Sequence, residues 1–273
     1  MALSYAILKT IMIIDSHSHL CKKRNESFRE AAQELLLELK DNQISKAFVI
    51  PDNVENSKCA SIDILLKVFT DNSNIYFLGS PNPFADINNE CQKLEALIGE
   101  KKIIGVKLFP GHDKIRITDN KLQPIIKLCI KYNIPLVVHS GAHNETNLEV
   151  MEYNDPKYVV EIASNNPSLN IIISHFFWPK LDYCYKATQG FKNIYFDTSA
   201  LADTEVIQTS GGIDKIRSVL EKTILRNSDS VIFGTDYPAC NTQDHLKLIN
   251  DLDISFELKE KIFFKNVLKL FGL

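Results

Sequence analysis

The chain has 273 residues, with 31 Lys+Arg against 34 Asp+Glu and a formal net charge of −3. This near-neutrality excludes the basic excess of a non-specific nucleic-acid or anionic-membrane binder. With 45% hydrophobic and 24% charged residues, general disorder is excluded as well.

Residues 1–14 are mostly apolar, but no basic residue precedes the apolar run, Lys9 interrupts it and no small-x-small site precedes Asp15. The sequence therefore predicts no signal peptide. No stretch reaches the ~18 uninterrupted apolar residues of a membrane span, so no membrane partner is expected. Short β-branched runs follow in chain order at 11–14, 46–50, 75–78, 103–108, 134–138, 169–174, 193–196 and 230–234. They read as buried parallel strands. Amphipathic helical patterns lie between them, the clearest at 30–39, 61–69 and 122–132, with stops at 165–167 and Gly190. Residues 255–271 read as a last helix. Strand starts recur about every 31 residues, the size of one strand-helix unit. Eight units predict an α/β fold, a single-domain (β/α)8 TIM barrel. A doubly wound open sheet is the alternative, and the lack of glycine in Asp15-Ser16-His17-Ser18-His19-Leu20 speaks against it.

The six cysteines show neither metal-knuckle spacing nor disulfide-scaffold density, so reduced thiols in a cytoplasmic protein are expected.

Polar groups fall where the predicted strands end. His17 and His19 end the first run, Lys107 lies in the fourth, His139 ends the fifth and His175 the sixth. Asp197 ends the seventh and Asp236 the eighth. In a barrel these ends meet at one mouth. His17 and His19, two apart, point to the same side of an extended strand. With His139, His175 and Asp236 they make a nitrogen/oxygen set suited to Zn²⁺ or a similar divalent ion. Taken singly, each has a plainer reading: a hydrogen-bonded histidine, a buried ion-pair lysine, or a helix-capping Asp197.

With these residues in view, the chain resembles the amidohydrolase superfamily, in its amidohydrolase-related branch. The resemblance runs from Ile13 to the C-terminus. It rests on Ile13-Ile14-Asp15-Ser16-His17-Ser18-His19, Gly105-Val106-Lys107-Leu108-Phe109-Pro110, the stretches around His139, His175 and Asp197, Phe233-Gly234-Thr235-Asp236-Tyr237-Pro238 and the 266–272 ending. It implies residues 1–11 as an extension before a barrel over 12–273. It also implies His17, His19 and Asp236 as metal ligands, His139 as a further ligand, and His175 as a ligand or acid/base group. Lys107 stands where a carboxylated lysine bridges two metals in some members. One metal is expected, zinc first, with Lys107 marking where a second would be held.

The expected chemistry is metal-assisted hydrolysis of a small amide, lactone or ester, with Asp236 taking and returning the water proton and His175 and Lys107 stabilising the oxyanion. Non-oxidative decarboxylation of an aromatic or unsaturated acid is the alternative, and an inactive metal-containing binding protein the third reading. Trp178, Tyr237, Arg24 and His112 are expected to contact substrate, and Phe176 and Phe177 to be either pocket wall or loop packing. His143 is a candidate pocket residue, and His245 is expected at the surface. The expected partner is a small molecule, with no nucleic acid and no membrane; a homo-oligomer stays open.

Overall fold

The computed structural model describes residues 11–24, 26–54, 57–142 and 148–273. Eight strands run β1 (Ile14–Ser18), β2 (Lys46–Val49), β3 (Ile75–Phe77), β4 (Val106–Leu108), β5 (Leu136–Val138), β6 (Ile171–Ile173), β7 (Ile194–Asp197) and β8 (Val231–Ile232). All their pairings are parallel, and they divide into sheets β1-β2-β3 and β4 through β8. Backbone bonds join the two sheets at both seams. Gly79 N–H reaches Gly105 O at 2.9 Å and Lys107 N–H reaches Gly79 O at 2.7 Å. At the other seam Ser16 N–H bonds Phe233 O and His19 N–H bonds Tyr237 O. The predicted eightfold rhythm thus becomes a ring of parallel strands with helices outside, as an α/β chain of this periodicity requires.

Inside the ring, Ile14, Phe48, Ile50, Leu78, Val137, Ile172 and Ile232 form a buried plug. The histidines and carboxylates His17, His19, His139, His175, Asp197 and Asp236 gather where the strands end. The outer core lies between strands and amphipathic helices such as Phe28–Asp41, which opens with a Ser27–Glu30 capping box and buries Ala31, Leu35 and Leu39. The predicted last helix is helical from Phe256 to Phe271, with Ser255 as its N-cap, and contains a π turn at Lys261–Lys265.

Three expectations change or fall outside this description. Residues 1–10, most of the expected extension, and His143 lie outside the described residues. His245 is buried, not at the surface: its Nδ1 donates to Asn241 O at 2.8 Å, and its Nε2 accepts Ala202 N–H at 3.3 Å. The His245 ring therefore satisfies a loop amide that solvent cannot reach. Cys21 and Cys59 are joined in a disulfide, whereas Cys91, Cys129, Cys184 and Cys240 are free. The pair sits on an antiparallel bridge flanked by Lys22 N–H to Lys58 O, 2.9 Å, and Ala60 N–H to Leu20 O, 2.8 Å. Spacing and density could not reveal it, because two loops from adjacent strands bring the cysteines together. The bridge also removes the reduced-thiol premise on which the cytoplasmic expectation stood. No described helix is long and apolar enough to cross a membrane.

Candidate metal and active site

The strand ends converge on three donors. One ligand atom each from His17, His19 and Asp236 lies within 4.8 Å of the other two. Both imidazoles are aimed by bonds to their far nitrogens. His17 Nδ1 donates to Asp197 Oδ2 at 2.8 Å, and His19 Nδ1 donates to Ile50 O at 3.0 Å. This fixes the tautomer and leaves both Nε2 lone pairs facing Asp236 Oδ1, at 3.4 and 3.5 Å. His17 Nε2 is buried and has no hydrogen-bond partner. An orphaned imidazole nitrogen beside a carboxylate suits a cation better than any protein donor present.

The backbone is shaped to permit this convergence. A Cβ on Gly234 would stand 2.8 Å from His17 Cβ, so only glycine lets β8 approach β1 this closely. Asp236 itself holds φ of +70°, and its N–H bonds His17 O at 2.8 Å. His175 also sits at positive φ, +59°. Non-glycine residues rarely adopt this region, and such strain gathers at functional sites.

Electrostatics point the same way. Burial, followed by the Lys107 charge, pushes His17 down to about 3, so its imidazole is neutral and able to ligate. Burial lowers His139 and His175 too. Burial alone would raise Asp236, but His175, His19 and His17 hold it below the usual carboxylate range. Asp197 behaves likewise, through His17, His175 and Lys107. Burial brings Lys107 down to about 8; its Nζ donates to Ser174 Oγ at 2.8 Å. Burial also lifts Asp15 to about 7, against hydrogen bonds from Thr235 and the His17 N–H.

A second set of imidazoles adjoins the trio. His175 Nδ1 faces Ser199 O, which can only accept, so this nitrogen carries the proton. His175 Nε2 then accepts from His139 Nδ1 at 3.1 Å, and His139 Nε2 accepts from His112 Nε2 at 3.1 Å. His139 therefore joins His175 and His112 in a relay of rings and stands outside the tight trio. Asp197 binds the two groups together, since its other oxygen accepts His175 N–H at 3.1 Å, Ser199 N–H at 3.2 Å and the Ser199 hydroxyl.

A cavity of about 570 Å³ opens over these residues, lined by His19, His112, His139, His175, Trp178 and Asp236 among others. Arg24 and Tyr237 line a side groove instead. Phe176 and Phe177 are buried packing residues, Phe176 stacking on Phe196 with centroids 4.4 Å apart. Sequence reasoning assigned no role to Asp15 and Ser199. Nothing marks a lone serine or a strand aspartate as a histidine-orienting group until the partners are adjacent in space.

Comparison with known proteins agrees with this fold. A family model described as Amidohydrolase matches residues 80–273. No curated protein matches the chain. An uncharacterized TIM-barrel protein from Bordetella bronchiseptica is 20% identical, with a TM-score of 0.73 over 90% of this chain and 84% of that one. A 5-carboxyvanillate decarboxylase from Novosphingobium aromaticivorans, complexed with manganese and 4-hydroxy-3-methoxy-5-nitrobenzoic acid, is 15% identical, with a TM-score of 0.66 over 97% of each chain. A probable 2-pyrone-4,6-dicarboxylic acid hydrolase from Acinetobacter baumannii, with citric acid bound, is 15% identical, with a TM-score of 0.69 over 96% of this chain and 99% of that one. At such identities the likeness establishes the TIM-barrel fold.

Proposed function

The chain belongs to the amidohydrolase family, and from that premise we propose that it is a metal-dependent hydrolase of a small amide, lactone or ester. The observation that carries this reading is the orphaned His17 Nε2, converging with His19 Nε2 on Asp236 Oδ1. His17, His19 and Asp236 would hold one divalent cation. Zinc is our first assignment, because two imidazoles and a carboxylate suit it; manganese, bound by the decarboxylase above, is the competitor. When bound, the ion supplies a Lewis acid that polarises a carbonyl and acidifies water toward a pKa of ~7.

The chain's own groups supply the rest. Asp236, ionised and with a second carboxylate oxygen, accepts the proton of the attacking water and returns it to the leaving group. His175, proton on Nδ1, uses its Nε2 to accept from His139 Nδ1 and so orients that ring at the cavity wall. Lys107 is sealed behind Ser174, so its ammonium acts as a fixed field over the site. Trp178 and His112 form the wall a substrate would meet. Decarboxylation is the second reading, since it uses the same ligands. The main cavity supports hydrolysis: beside Asp236 it is lined by Asp52, Asp203 and Glu205 against the single cation Lys58, a poor setting for a carboxylate seated at the ion.

Elemental analysis of purified protein, joined to product analysis, tests this. We expect near-stoichiometric metal, and ¹⁸O from labelled water in the product. CO₂ release instead would establish the lyase, and wild-type metal in the His17→Ala/His19→Ala variant would refute the ligand assignment.

A further inference from the structure

The side groove that receives Arg24 and Tyr237 has a volume of about 370 Å³ and shares His19, Cys21, Lys58 and Pro238 with the main cavity. Its charge is unlike that of the rest of the chain. Lys22, Lys23, Arg24 and Lys58 face Glu34 as the sole carboxylate in the lining, within a protein of net charge −3. Lys23 Nζ is committed to Glu34 at 2.6 Å, and Lys22 Nζ lies over the Phe28 ring at 5.0 Å. No carboxylate among the described residues pairs with Arg24 or Lys58.

The backbone that carries these exposed side chains is held in place. Lys22 follows Cys21 and Lys58 precedes Cys59, so the disulfide and the Lys22 N–H to Lys58 O bond lock the two loops side by side. A cleft whose charges are mostly of one sign focuses its field, and loops already locked together need no ordering on binding. The main cavity has the opposite lining, with Asp52, Asp203, Glu205 and Asp236 against Lys58. The charge of the two linings therefore favours an anionic group in the groove over the main cavity.

We infer that this groove is an oxyanion subsite, in which Arg24 and Lys58 hold a carboxylate or phosphate of the substrate while the scissile bond lies at His17, His19 and Asp236. This inference rests on the hydrolase reading and names its substrate class: a small molecule whose anionic group lies away from the reacting carbonyl and is retained in the product. Arg24 can engage such a group through two parallel N–H bonds, and Lys58 as a point charge.

The test titrates inorganic phosphate and, separately, succinate into the protein at low ionic strength, followed by calorimetry. Arg24→Gln/Lys58→Gln is compared with wild type and with Lys127→Gln, an exposed lysine elsewhere. We expect at least one of the two anions to bind wild type and the Lys127 variant equally. The double variant should bind it at least tenfold more weakly, with its metal content unchanged. Binding should survive chelation of the metal. Preference for phosphate or for succinate tells which oxyanion the groove takes, and either supports the subsite. No binding of either anion to wild type, equal affinity in the double variant, an equal loss in the Lys127 variant, or binding that vanishes on chelation would overturn it. A wild-type protein that takes up no metal would refute the hydrolase reading, while the groove would still be tested by the chelated arm.

Discussion

Asp197→Asn probes the link between the histidine network and metal affinity. The Asp197 carboxylate accepts His17 Nδ1–H on one oxygen, and His175 N–H, Ser199 N–H and the Ser199 hydroxyl on the other. An amide has one accepting oxygen and one donating nitrogen. If its oxygen faces the two backbone N–H groups, its NH₂ meets His17 Nδ1. His17 must then move its proton to Nε2, which removes the lone pair aimed at Asp236. If the amide flips, the NH₂ confronts two backbone donors instead. Either outcome spoils a ligand or a buried bond, whereas the isosteric side chain preserves packing. Loss of a ligand-orienting carboxylate costs about 10–100-fold in metal affinity, or about 1.4–2.7 kcal/mol. Competition against a chromophoric chelator, with circular dichroism to verify folding, measures this. A folded Asp197→Asn protein with wild-type affinity would refute the reasoning.

Three further outcomes follow from particular contacts. Gly234→Ala places a methyl 2.8 Å from His17 Cβ, so thermal melts should show a loss of ~1–3 kcal/mol together with weakened metal uptake; unchanged uptake would contradict the close approach. The Cys21–Cys59 bridge closes a separation of 38 residues, so chain entropy predicts that Cys21→Ser/Cys59→Ser loses up to ~4 kcal/mol in urea unfolding. Denatured, unreduced wild type should titrate only Cys91, Cys129, Cys184 and Cys240, and a full set of reactive thiols would exclude the bridge. Lys107 falls from 10.5 to about 8 in the folded protein. Between those values the unfolded chain holds a proton that the folded chain has released, so stability rises with pH across that window. Chelated wild type should gain about 3 kcal/mol relative to Lys107→Met between pH 8 and 10.5. A flat difference would mean that the ammonium is not desolvated.

Strands β2 to β8 were legible because a buried parallel strand is mostly apolar on both faces and such runs recur at one spacing. The apolar run 11–14, by contrast, meets β1 only at Ile14, and the rest of β1 is buried but polar. Strand ends were less so: β1 extends through Ser18, because His17 and its neighbours are buried by partners on β7 and in the segment just after β8 that the local sequence does not show. The donors were legible because His17, His19 and Asp236 sit at strand ends. Their ordering was not. That His139 pairs with His175 and His112, and that Arg24 faces a side groove, depends on how loops fold over the mouth. Hydropathy misplaces His245, since histidine is found in either setting until its acceptor and donor are known. Cys21 and Cys59 are likewise joined by loop geometry alone.

The central claim is that His17, His19 and Asp236 hold a divalent ion, and anomalous diffraction at the zinc and manganese edges from metal-supplemented crystals tests it most directly. The account predicts one strong anomalous peak within ~2.0–2.2 Å of His17 Nε2, His19 Nε2 and an Asp236 oxygen. No peak at that point, or a peak coordinated by other side chains, would contradict it.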